Sequence, residues 1–332
     1  MLTVAAAVFA PTAANAAVLT LRSQAARLGI IVGSGAINPD YLDDPKFGQV
    51  LAQQFNSLSP ENELKWESVE PQRGVFDFTK LDRLVDFAKQ NRMTVKGHGL
   101  ISGCCNPAWL EQIQTPEELR AALTVHFKTI MGRYAGKVDR WDVATEVLST
   151  FGGTGLNANY FYRVLGPDYL AEVFRIAHAA NPKAKLFLNE SLVEFYPAKR
   201  QELYDLVTDL VRRGVPITGV GLETHITFSA PEPGVITGIV NSYKSLGLQV
   251  AITEMDVHLS PLPDNAEFTA QAKIYGDVVN EALTAGIRDI NFWGFTDKHA
   301  YTWVPGAKPL MFDEQYRPKP AFFATWGALV SH

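Results

Sequence analysis

Short apolar runs rich in β-branched residues alternate with amphipathic stretches along most of the 332 residues. Runs of this kind read as buried parallel strands, and the stretches between them carry the helical 3.6-residue period. The pattern predicts strands at 30–37, 55–60, 94–100, 140–145, 185–190, 217–226, 249–257 and 290–295. Helices are predicted at 81–90, 116–134, 168–180, 199–213, 234–247, 268–286 and 320–330. Thr115–Pro116 ahead of a glutamate-rich turn is a start signal, and Gly214 and Gly247 are stops. Eight strands with helices between them in one undivided chain predict a single-domain (β/α)8 TIM barrel. A doubly wound open sheet is the alternative. It lacks a glycine-rich phosphate loop after the first strand: GSGA at 33–36 has no third glycine, and INPDY after it starts no evident helix.

Composition narrows the chemistry. Hydrophobic residues make up 47% and charged residues 20%, as in ordinary globular proteins. A net charge of −5 with no basic cluster argues against nucleic acid or an anionic membrane as partner. The two cysteines, Cys104 and Cys105, are adjacent and cannot staple distant segments. Two separate thiols are expected there, with a vicinal disulfide as the alternative. The apolar run near the N-terminus and Ala14-Asn15-Ala16 suit a clipped secretory signal cut before Ala17. Residues 1–16 are therefore expected to be a signal segment, 17–332 the catalytic domain, and the protein secreted. No other stretch approaches a membrane span.

In a barrel, the C-terminal strand ends form the functional face. Those ends carry Glu61, Asn62 and Lys65, then His98, Glu146, Asn189 and Glu190, Glu223 and His225, Glu254 and Asp256, and finally Trp293 with Asp297 and His299. The histidines lie on different strands without a zinc spacing, and no GxSxG nucleophile elbow is present. Glutamates ending the fourth and seventh predicted strands would face each other across the mouth. A retaining glycosidase needs that arrangement: one carboxyl protonates the leaving oxygen while the other attacks the anomeric carbon. Amide, ammonium and imidazole groups can hold sugar hydroxyls, and indole faces stack on sugar rings. No metal or cofactor is expected.

The stretches WDVATEV, AITEMD, SPENELKW, KGHG, FYRVLGPDY and MFDEQYRPKPAF resemble glycoside hydrolase family 10, with the likeness running from about residue 28 to 330. The family consists of secreted (β/α)8 barrels, chiefly endo-β-1,4-xylanases. The resemblance implies Glu146 as acid/base, Glu254 as nucleophile and His225 as the residue orienting it. It places Glu61, Asn62, Lys65 and His98 at sugar-binding positions and Trp293 at the indole floor. A second indole is implied eight residues on. Counting reaches Tyr301, whereas the WVPG context points to Trp303, which is preferred. The implied partner is a carbohydrate or glycoside, handled by a chain expected to be a monomer.

Several positions depart from that family pattern. Thr145 stands where an asparagine usually precedes the acid/base, and Ser102 and Gly103 replace a tryptophan and a histidine after the third strand. Ser191 replaces a tyrosine, and Glu223 replaces a glutamine. Ser102, Thr145, Ser191 and Glu223 are thus expected to shape an altered pocket. Glu223 adds a third carboxyl, so it should stay protonated or raise a neighbour's pKa. The departures leave three readings: a xylanase-like enzyme with an altered pocket, an enzyme retargeted to a plant glycoside with a bulky aglycone (tomatinase-like), and a catalytically weak carbohydrate-binding barrel.

Overall fold

All eight expected strands are present and close into one parallel ring. The structure, a computed structural model, describes residues 20–149 and 155–332. The strands are β1 (Ile31–Ile37), β2 (Ser57–Pro60), β3 (Thr94–Gly97), β4 (Val138–Thr145), β5 (Lys185–Glu190), β6 (Gly219–Leu222), β7 (His225–Thr227), β8 (Gln249–His258) and β9 (Asp289–Phe292). Each of β1 to β5 pairs with its successor, β6 pairs with β8, and β9 closes onto β1. The sixth expected strand, 217–226, is broken: Thr224 takes φ +61° and separates β6 from β7, which pairs with β8 alone. The seventh expected strand is therefore β8.

The helices are α1 (Leu21–Leu28), α2 (Pro45–Gln54), α3 (Trp66–Val69), α4 (Thr79–Gln90), α5 (Ala108–Glu111), α6 (Pro116–Arg133), α7 (Tyr160–Leu165), α8 (Tyr169–Ala180), α9 (Pro197–Arg212), α10 (Val235–Ser245), α11 (Glu267–Ala285) and α12 (Pro320–Val330). The Thr115 hydroxyl accepts from Glu118 N at 3.4 Å, as its start signal implied. Helix α2 follows the stretch thought to start none. Asp44 caps it, Pro45 opens it, and Phe47, Val50, Leu51 and Gln54 bury one face. Phe127, Phe174, Leu203 and Val279 are buried in the helical layer around the barrel, each contributing roughly 1.5–3 kcal/mol through its burial.

One other expectation changes. Cys104 and Cys105 are joined in a vicinal disulfide instead of standing as two thiols. The anticipated signal segment, 1–16, lies outside the described residues.

Register irregularities set which side chains reach the barrel interior. The pairing of β4 with β5 shifts between Asp142 and Ala144. Asp142 and Thr145, an odd number of residues apart, can therefore both turn inward, because a one-residue slip reverses side-chain facing. A similar shift between Ile252 and Met255 on β8 brings both Thr253 and Glu254 to the interior network.

Candidate active site

The ends of β4 and β5 and the β6–β7 junction leave extended geometry in the same way: Glu146, Leu192 and Thr224 have φ of +50°, +62° and +61°. Left-handed backbone at non-glycine residues is strained and clusters where side chains must be aimed. Glu146 is exposed at the mouth, its N–H donating to Asn189 O at 3.0 Å and its own carbonyl accepting from Asn157 Nδ2 at 2.9 Å. A cis peptide joins His98 to Gly99 just beyond β3.

Asn189 is the hub. Its Nδ2 lies 2.8 Å from Glu254 Oε1 and 2.9 Å from Glu223 Oε1, and its Oδ1 accepts from the Thr253 hydroxyl at 2.6 Å. Two residues on, just past the end of β5, Ser191 Oγ reaches Glu146 Oε1 at 3.4 Å. The C-terminal end of β5 and the loop that follows it thus touch both glutamates. The Thr145 hydroxyl donates to Glu223 Oε1 at 3.0 Å, so two of the family departures bond to each other.

Gly221 makes room for the hub. A Cβ there would fall onto Asn189 Oδ1 and lie 2.8 Å from Thr253 Cγ2. Gly221→Ala is expected to displace the amide and lower kcat about 100-fold, since misplacement by about 1 Å costs that much. Steady-state kinetics alongside a thermal melt separate this loss from unfolding.

Charge is arranged to keep Glu254 ionised. Burial opposes the charge, but His98, the His225 hydrogen bond and Lys96 outweigh it and bring the pKa down to about 2. Lys96 Nζ stands 3.9 Å from Glu254 Oε1 and 3.0 Å from Asp142 Oδ2, and His98 Nδ1 lies 3.4 Å and 3.0 Å from the same two atoms. His225 Nε2 is 3.5 Å from Glu254 Oε2, while its Nδ1 is 2.9 Å from Asp256 Oδ1. Burial alone would lower the His225 pKa; Asp256 and Glu254 reverse this and raise it well above the usual value.

Glu223 has the opposite fate. Burial raises its pKa well above the carboxylate range, and the neighbouring Glu254 and Glu146 add to the rise. Its protein contacts are the uncharged Thr145 and Asn189 groups, with His225 Nε2 at 3.8 Å. The two carboxyls are thus pushed in opposite directions, Glu254 towards ionisation and Glu223 towards holding its proton.

The sign of the pH effect follows. In the unfolded chain Glu223 ionises near 4.5, whereas the folded protein retains its proton to higher pH. This group's contribution to stability therefore falls as pH rises from about 4.5 towards the folded pKa. Glu223→Gln removes that penalty. The variant should gain in melting temperature over wild type at pH 8 relative to pH 4, and its activity should decline later on the alkaline side. Paired melts and pH–rate profiles check both.

The remaining expected residues divide. Lys65 Nζ donates to Asn62 Oδ1 at 2.8 Å, and burial, followed by Glu63, raises the pKa of Glu61. Trp293 packs edge-on to His98 at 5.1 Å, and Gly35 admits its indole, since a Cβ there would lie 2.6 Å from Cε3. Trp303 stacks on His258 at 3.8 Å, meets His225 edge-on at 5.6 Å and donates to Thr227 Oγ1 at 3.0 Å. Tyr301 stays 75% exposed. Trp303 thus meets His225, which in turn lies 3.5 Å from Glu254. Ser102 donates within its own loop to Cys104 O at 2.9 Å. Asp297 and His299 serve the scaffold: Asp297 pairs with Lys319 at 2.8 Å, and His299 stacks on Tyr41 at 3.9 Å.

Lys96, Asp142 and Thr253 did not emerge from strand-end reasoning. The signal was a lysine and an aspartate within apolar strands, where a buried charge requires a partner. Two clusters, His98–Asp142–Glu254 and Glu223–His225–Glu254, have atoms close enough for a metal ion. In the first, the Lys96 ammonium stands 3.0 Å from Asp142 Oδ2 and 3.9 Å from Glu254 Oε1; in the second, His225 Nδ1 is engaged by Asp256 at 2.9 Å and its Nε2 faces Glu254 at 3.5 Å. The depression in the outer helical ring lined by Tyr204 and Tyr243 has no carboxyl group among its lining residues.

A closed parallel barrel with an ionised, buried glutamate and a second, exposed one at its mouth defines a barrel glycosidase. The glycosyl hydrolase family 10 profile matches residues 20–328. Endo-1,4-beta-xylanase B of Thermotoga neapolitana is 36% identical over 315 residues, covering 92% of this chain and 90% of that protein. Beta-1,4-xylanase of Dictyoglomus thermophilum is 35% identical over 295 residues, 83% of each. The structure of xylanase 10B from Thermotoga petrophila RKU-1 in complex with xylobiose superposes with a TM-score of 0.88 at 36% identity, covering 94% of this chain and 97% of that one. The chain belongs to glycosyl hydrolase family 10 and is a retaining glycoside hydrolase. Among the described residues, no helix is long and apolar enough to cross a membrane.

Proposed function

We propose that this hydrolase cleaves β-1,4-linked xylan-type chains by double displacement, with Glu254 as nucleophile and Glu146 as acid/base. The observation that carries the reading is the contrast between the two carboxyls. Glu254 is buried and kept ionised by Lys96, His98 and His225, as an attacking group must be. Glu146 lies exposed, where it can protonate a leaving oxygen and then take a proton from incoming water. His225 orients the nucleophile. Glu61, Asn62, Lys65 and His98 bind hydroxyls, with the Trp293 indole against His98 and the Trp303 indole against His225. The substrate class is drawn from the relatives, whose names are those of xylanases.

Thr145, Ser191, Glu223 and Ser102 modify that site without removing its chemistry, because Asn189 and Thr145 absorb the extra carboxyl through hydrogen bonds. The reading extends to a monomer acting outside the cell; the export part rests on the apolar run and Ala-Asn-Ala of the first 16 residues. The test is turnover of xylan and of aryl β-xyloside, glucoside and galactoside, with the first-formed anomer followed by NMR. The β-anomer and a preference for xylose are expected. A tenfold preference for another sugar overturns the substrate assignment, and an α-anomer overturns the mechanism.

A further inference from the structure

The ring order divides the barrel mouth. A line from Glu146, at the end of β4, to Glu254 on β8 leaves β9, β1, β2 and β3 on one side and β5, β6 and β7 on the other. The hydroxyl-binding set Glu61, Asn62, Lys65 and His98, together with Trp293, belongs to the first side. A glycone seated there sends its leaving group towards the second side, where the residue just past β5 that contacts Glu146 is Ser191, a hydroxyl and not a ring.

On that side Phe228 is the most exposed ring among the described residues, ahead of Tyr196 in the loop after β5. Phe228, directly after β7, is 75% exposed and has φ +74°. Ser229 N donates to Thr227 O at 3.0 Å across it, which makes Phe228 the centre of a γ-turn. A bulky residue in this rare, strained turn, with its ring in water, gains nothing for the fold. Its neighbour is continuous with the catalytic network: Thr227 Oγ1 accepts from Trp303 Nε1, and the Trp303 ring meets His225, which adjoins Glu254.

We infer that Phe228 is the platform of the leaving-group subsite, binding the apolar face of the ring beyond the scissile bond. The occupant is a ring with a C–H or π face, supplied by the next sugar or by a cyclic aglycone. This rests on the assignment of Glu146 and Glu254 above. By microscopic reversibility, the same platform holds acceptors that attack the glycosyl-enzyme: the acceptor hydroxyl forms the new glycosidic bond, Glu146 takes its proton, and the Glu254 carboxylate is released.

The partition of that intermediate supplies the test. With one aryl glycoside donor, wild type, Phe228→Ala and Phe228→Trp are compared for transfer to a methyl xyloside, to benzyl alcohol and to methanol, each against hydrolysis. Phe228→Ala should lower the transfer-to-hydrolysis ratio for ring acceptors about three- to tenfold relative to the ratio for methanol, the range expected for one ring contact. Phe228→Trp should restore it. Loss confined to the xyloside identifies a sugar platform, and loss confined to benzyl alcohol an aglycone platform. If the ratios for all three acceptors move by the same factor, or none moves, the inference is overturned. A wild type with no donor turnover above Glu254→Gln instead refutes the catalytic assignment. Thermal melts confirm that the variants are folded, as expected for a substitution at so exposed a position.

Discussion

Glu254→Gln is expected to lower kcat on every glycoside by on the order of 10⁵-fold or more, the scale on which losing a covalent nucleophile acts. The replacement keeps size and one hydrogen-bond acceptor, so Asn189 retains a partner and the fold should survive. What disappears is the carboxylate that forms the glycosyl-enzyme. Lys96 and His225 each lose one of two anions and keep the nearer one, Asp142 and Asp256 respectively. Single-turnover experiments that trap a covalent glycosyl adduct on wild type should find none on the variant. An adduct of normal yield would place the nucleophile elsewhere.

Glu146→Ala should separate substrates by their leaving groups. For natural glycosides, whose leaving oxygen must be protonated, kcat/KM should fall by about 10²–10⁴, the usual contribution of a general acid. An aryl glycoside with a strongly activated leaving group should lose far less in the first step, and the glycosyl-enzyme should then accumulate because no base activates water. Added azide, which needs no base, should restore turnover and yield a β-glycosyl azide. Equal losses on both substrates, without azide rescue, would assign Glu146 a role in binding only. Ser191→Ala leaves this pattern intact if the 3.4 Å contact only orients the carboxyl.

The barrel was legible in the sequence because parallel strands buried on both faces are written as continuous apolar runs, and all eight appeared where those runs lie. The strand ends were legible for a related reason. Glu146 and Glu254 each follow an apolar run, and a carboxylate there has no place in a core. The broken sixth strand was hidden, since Thr224 has no special preference for the left-handed backbone that splits it. Helix α2 was obscured by Gly48 and its glutamines, although its Asp-Pro start and the 47–50–51–54 spacing were present. Lys96 and Asp142 were missed because facing is decided by register, and the shift in β4 is a property of the pairing with β5 rather than of either segment alone. The joining of Cys104 to Cys105 depends on loop geometry to which adjacency in sequence offers no guide.

The hydrogen bond from Thr145 to Glu223 makes the two positions one unit of the pocket wall. The hydroxyl at the end of β4 donates to the carboxyl beyond β6, so a change at either end alters what the other can bond. Substitutions in direct contact are energetically coupled, and the cost of a change at one position depends on the residue that stands at the other.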